Sequence, residues 1–136
     1  MFQISVEESF SAGHALRGYR GKCENPHGHN YKVRVTLEGA QLNSVGLLYD
    51  FAHLKQIIHG VIHAVDHKFL NDQAPFDVIN PSAENIAKYF YDEASRMMRE
   101  IPAGARITSI TVWETDTTSA TYWPEETPPA RQDRAE

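Results

Sequence analysis

Only one cysteine, Cys23, occurs in the 136 residues, so no intrachain disulfide can form. That usage fits a reducing compartment, and a cytoplasmic protein is expected. Basic residues are in deficit, 13 against 18 acidic, giving a net charge of -5. This removes the electrostatic case for general nucleic-acid binding. No run is long or apolar enough to span a bilayer. The start, Met1-Phe2-Gln3-Ile4-Ser5-Val6, has neither a basic stretch nor an apolar one and does not read as a signal peptide. Internal repeats are absent. What remains is ordinary globular composition, 41% hydrophobic and 23% charged, at a length that suits one domain and not two.

Against that background, histidine is placed with purpose. Cys23-Glu24-Asn25-Pro26-His27-Gly28-His29-Asn30-Tyr31 precedes the alternating residues Val33, Val35 and Leu37. Two histidines at i and i+2 on an extended segment point to one side. Upstream, the even positions Phe2, Ile4, Val6 and Phe10 share a phase with His14. If the two segments pair, His14, His27 and His29 converge. Three neutral imidazoles with an open fourth position are the pattern of a catalytic zinc site. A lone histidine is more often a hydrogen-bonded or surface residue; the shared phase of three lifts this group above that reading.

The coarse order follows from periodicity. Residues 2–12 and 30–39 alternate as strands, with a Gly-, Asn- and Pro-rich loop over 13–29. Phe51, Leu54, Ile57, Ile58, Val61, Ile62 and Val65 follow helical spacing, with Asp50 as N-cap. A second helix starts after Pro81 with Ser82 as cap, carries Ile86, Phe90, Ala94 and Met97 on one stripe, and stops near Pro102 and Gly104. Strands are expected from Ile107 to Trp113 and over 119–123. From Pro124 the composition has little to bury, so 124–136 is expected to be an unstructured tail after a domain of 1–123. The sum is ββααββ: an α+β domain, an antiparallel four-stranded sheet with two helices on one face. Its open edges favour pairing between subunits.

Other groups stay open at this level. Cys23 can be a fourth metal ligand, an inert thiol, or a proton-transfer group. Asp66-His67 can be an acid/base pair, but such dipeptides are common and need not touch. His59 and His63 mimic a helical metal face without a carboxylate at the right spacing, and read as surface residues. Glu114, in phase with Ile110 and Val112, should point inward, where a carboxylate needs a partner.

Taken together, Phe10-Ser11-Ala12-Gly13-His14, the Cys23–Tyr31 run, Leu48-Tyr49-Asp50-Phe51, Val65-Asp66-His67-Lys68-Phe69-Leu70-Asn71, Pro81-Ser82-Ala83-Glu84-Asn85 and Val112-Trp113-Glu114-Thr115 resemble the 6-pyruvoyltetrahydropterin synthase / 6-carboxytetrahydropterin synthase family. The resemblance implies the tunnelling fold, in which the sheets of several subunits join into a barrel, as homohexamers built from two trimers. It implies Zn²⁺ on His14, His27 and His29, proton transfer by Cys23 and the Asp66–His67 pair, and Glu114 on the aminopyrimidine edge of a pterin. Ser82 is implied as a further pterin contact, although Ala83 stands where many relatives have a second hydroxyl. The three residues between Cys23 and His27 resemble the bacterial carboxytetrahydropterin synthases of the queuosine and 7-deazapurine pathway; pyruvoyl synthases carry a longer interval. The implied substrate is 7,8-dihydroneopterin triphosphate, and Lys22 and Arg17 are candidates for its phosphates. A pyruvoyl synthase and a noncatalytic zinc-stabilised module are the rival expectations.

Overall fold

The computed structural model describes residues 1–21, 24–98 and 104–125. Two long strands, β1 (Phe2–His14) and β2 (His27–Gly39), form an antiparallel hairpin in register from Phe2↔Gly39 to His14↔His27. Helix α1 (Phe51–Val65) follows, then the two-residue strand β3 (Lys68–Phe69), helix α2 (Ala83–Met97), β4 (Arg106–Thr115) and β5 (Thr118–Tyr122). The sheet order is β3-β1-β2-β4-β5. Thus the α+β architecture holds, with one correction. The sheet has five strands and is mixed, because β3 pairs with β1 in parallel at Ala12 and Gly13. Both early strands also reach further than expected: Gly13 and His14 stay in β1, and β2 begins at His27.

One sheet face carries the core. Val6, Phe10, Tyr31, Val33, Val35, Ile110 and Val112 are buried there beneath Leu54, Ile58 and Phe90 of the helices. Phe10 stacks between Tyr31 and Phe90, with centroids 4.9 and 5.4 Å away. Asp50 caps α1 by accepting from the N–H of Ala52 and His53, and Ser82 caps α2 by accepting from Asn85 N–H. Met97, expected on the buried stripe of α2, is instead half-exposed and lies over Gly60 of α1, where a Cβ would meet its Cε at 2.6 Å. Met98 takes the buried place.

The opposite face has no helices and is polar. Trp113 lies there beneath Lys32 and Arg34, whose cations sit 4.3 and 4.8 Å from its ring. Glu7 accepts from Arg34 and pairs with Lys32, and the guanidinium holds its carboxyl below the usual range. Because β3 covers only the end of β1, most of that edge is open; β5 leaves the other edge open.

The segment after β1 is bolted to the loop before α2. Asn71 accepts from Ala15 N–H and donates to Ala15 O, and Asn80 does the same for Arg17. The Arg17 guanidinium donates to the carbonyls of Phe76 (2.6 Å), Ile79 (3.3 Å) and Asn71 (3.4 Å). Arg17 is therefore committed to backbone and is not a free phosphate ligand, contrary to the expectation from its position. Arg17→Ala should cost about 1–3 kcal/mol, since it strips donors from one part-buried carbonyl and two exposed ones. A melting curve checks this; Arg17→Lys, which lacks the planar fork, should recover little.

Candidate metal centre

The hairpin end builds the site. Register sets His14 opposite His27 and Ala12 opposite His29. The two-residue period then puts all three imidazoles on the helix-covered face. Glu114 joins them from β4, at the position where pairing with β5 slips between Trp113 and Thr115. Such an irregularity re-aims a side chain next to a site. His14 Nε2 lies 2.9 Å from His27 Nε2 and 2.9 Å from Glu114 Oε1; His29 Nε2 lies 3.2 Å from the same oxygen. One donor atom from each of the four residues falls within 4.8 Å of all the others.

The hydrogen bonds behind the rings decide their chemistry. His14 Nδ1 donates to Pro81 O at 2.7 Å, and His27 Nδ1 donates to Asn25 O at 2.7 Å. A carbonyl only accepts, so both rings carry their proton on Nδ1. Their Nε2 lone pairs then face each other across 2.9 Å, with a carboxylate oxygen beside them. Three acceptors pointing at one spot suit a cation held between them. Desolvation, chiefly, pushes the pKa of His29 down and so favours its neutral form, and its Nε2 is buried beside the same carboxylate oxygen with no hydrogen bond. Imidazoles oriented by backbone carbonyls are the usual second layer of a metal site. His14 is 1% exposed, the one buried polar or charged residue among those described.

Asp66 and His67 touch, which their adjacency alone did not guarantee. Asp66 Oδ1 lies 2.9 Å from His67 Nδ1 and accepts from Ser11 N–H at 2.9 Å. His67 N–H donates to Ser11 O at 2.6 Å. These bonds pin the pair to the edge of β1. His67 adopts φ 58, a left-handed backbone that a non-glycine residue rarely takes, and its ring is exposed. The pair is not part of the four-donor cluster. The Ser11 N–H, first, and His67 hold the Asp66 carboxyl below its ordinary range. A depressed carboxylate adds stability above its unfolded pKa and loses it as pH falls through the folded value. Asp66→Asn should therefore destabilise at neutral pH, with the difference from the parent protein vanishing in acid; melting curves at several pH values check this.

The remaining sequence candidates divide. Ser82 Oγ spends its acceptor on capping α2 and keeps its proton free to donate. Cys23 and Lys22 lie outside the described residues. His59 pairs with Glu8 at 3.1 Å, and neither His59 nor His63 joins the cluster. Sequence reasoning missed the carbonyls of Asn25 and Pro81, which carry no side-chain signal.

Fold and cluster define an α+β protein with a group of residues that could hold a metal at the end of a hairpin. The model of the 6-pyruvoyl tetrahydropterin synthase family matches residues 3–125, and the chain belongs to that family. It is 33% identical to 6-carboxy-5,6,7,8-tetrahydropterin synthase of Haemophilus influenzae, over 90% of this chain and 99% of that one. It is 34% identical to human 6-pyruvoyl tetrahydrobiopterin synthase, over 88% and 90%. The solved 6-pyruvoyl tetrahydropterin synthase of Caenorhabditis elegans superposes with a TM-score of 0.81 at 31% identity, covering 90% of this chain and 95% of that one. Among the described residues no helix is long and apolar enough to cross a membrane.

Proposed function

We propose that the protein converts 7,8-dihydroneopterin triphosphate and water to 6-carboxy-5,6,7,8-tetrahydropterin, acetaldehyde and triphosphate, in a cytoplasmic queuosine or 7-deazapurine pathway. The observation that carries this is the convergence of the Nε2 atoms of His14, His27 and His29, those of His14 and His27 unprotonated. Zinc suits three imidazoles and, when bound, supplies Lewis acidity toward the hydroxyls of the substrate side chain. Asp66 orients His67 by holding its Nδ1, so the exposed Nε2 is placed to take a proton and return it. Cys23 is its counterpart, by its position ahead of the histidine pair. Glu114 holds the aminopyrimidine edge through paired hydrogen bonds, with Ser82 donating from the start of α2. The short interval between Cys23 and His27 favours chain cleavage over plain elimination.

Assembly belongs to the same reading. Open edges on β1 and β5 support pairing between subunits into a barrel, as trimers that stack into hexamers, and the polar helix-free face would line its pore. The catalytic unit is residues 1–123, with 124–136 as a tail.

Incubation of the zinc-loaded protein with 7,8-dihydroneopterin triphosphate decides the reaction. Acetaldehyde equal in amount to released triphosphate is expected. Triphosphate without acetaldehyde makes it a pyruvoyl synthase; neither product removes the reading. The closeness of Glu114 to the histidines favours one rival, a closed four-ligand structural site. Glu114→Ala separates them: an open site keeps its zinc and loses pterin affinity, a closed one loses zinc.

A further inference from the structure

A second feature adjoins the metal centre on the helix-free side of the sheet. A cleft of about 450 Å³ opens over the end of β1 and β2 beside β3. Its floor is the cross-strand pair Gly13↔Gly28, and Phe69, Asn30, His67 and Lys68 stand around it.

Gly28 is the informative residue. Its φ is not positive, so any L-residue fits the backbone. A Cβ there would meet only Ala12 O, at 3.7 Å, an ordinary contact. Glycine in a strand interior weakens the strand. Among the described residues nothing requires it at position 28. A glycine that the fold does not need marks a place where something else comes close to the backbone.

The rim says what that is. No carboxylate lines the cleft. Among the described residues, most basic side chains are occupied: Lys32 and Arg34 by Glu7, Lys88 by Asp92, Arg96 by Glu93, and Arg17 by carbonyls. Arg20, Lys55 and Lys68 have no such partner, and of these only Lys68 lines the cleft. Lys68 is held by strand pairing opposite Ala12, so its stem is anchored on the sheet. Ser11 Oγ donates to Asn30 Oδ1 at 2.6 Å, which fixes the amide and leaves Asn30 Nδ2 free to donate. His67 keeps Nε2 open, because Nδ1 faces Asp66. A free ammonium, a free amide and an open imidazole over a bare backbone floor match the needs of a phosphate chain.

We infer that this cleft is a polyphosphate subsite, with Lys68 as its cation, and that it receives the triphosphate of the substrate. The inference rests on the reading that the substrate is a pterin triphosphate. It places the leaving group beside His67, which can protonate it as it departs.

Calorimetric titration of the zinc-loaded protein with inorganic triphosphate tests this, with zinc content measured afterwards. Lys68→Met should weaken binding about ten- to hundredfold, the loss of one charge-assisted hydrogen bond. Lys55→Met, an exposed lysine on α1, should bind as the parent does. Gly28→Ala, with Lys68 intact and zinc retained, should not lower the melting temperature and should still weaken binding. Unphosphorylated dihydroneopterin should bind Lys68→Met normally. Triphosphate that fails to bind, or binds Lys68→Met undiminished, overturns the subsite. So does an equal loss of the unphosphorylated pterin. If triphosphate binding depends on Lys68 while no pterin binds or turns over, the subsite stands and the proposed function falls.

Discussion

His14→Ala should empty the metal centre and lower turnover by at least about a thousandfold, since a bound metal contributes several kcal/mol of transition-state stabilisation. Of the three histidines, His14 is the most deeply set: 1% exposed, and tied to Pro81 O on one side and to His27 and Glu114 on the other. Removing it deletes a ligand, opens a hole and leaves the Pro81 carbonyl without its donor. Stability should fall as well, by about 2–4 kcal/mol. Excess zinc should not restore the rate, and His63→Ala should keep its metal. Elemental analysis with steady-state kinetics checks both. A His14→Ala protein that retains full metal and near-normal turnover would sink the assignment.

His67→Ala should behave in the opposite way for metal and the same way for rate. The His67 ring is exposed and outside the donor cluster, so zinc content and melting temperature should barely change. Turnover should drop about 10²–10⁴-fold, the usual loss when a positioned proton-transfer group is removed. Cys23→Ala is expected to fall in the same range, and Cys23→Ser to be nearly as poor, since a hydroxyl is a much weaker base partner than a thiolate. If Cys23→Ala sheds its zinc, the thiol is a ligand and the site is closed. If His67→Ala turns over normally, the Asp66–His67 contact is only a fastening of the sheet edge.

Much of this geometry was legible in the chain because a strand has one rigid rule. Alternation from Phe2 to Phe10, continued to His14, set the phase that brings three histidines together. The caps Asp50 and Ser82 were equally readable, because short oxygen-bearing side chains at those positions have one job. What escaped has different physical origins. Gly13 and Gly28 looked like loop, since glycine weakens a strand, but pairing across thirteen positions overrides that local preference. Strand β3 is two residues long and has no period to detect. Arg17 is a basic loop residue in sequence and a clamp on three carbonyls in space, a role that depends on where distant backbone ends up. The inward phase of Glu114 was read correctly, but not that its oxygen would stand 2.9 Å from His14.

The direct opposition of His14 and His27 has a consequence for how the chain closes on itself. His14 and His27 face each other at the open end of the β1–β2 pairing. An ion joining them ties a ring, and the entropy of closing that ring is then drawn from metal binding instead of from packing alone. The mouth of the hairpin should therefore be the first part to open when the ion is removed. On chelation, amide exchange should quicken at residues 12–14 and 27–29, while the strand ends near Phe2 and Gly39 keep their rates. An ion held there would in that sense latch the longest hairpin among the described residues.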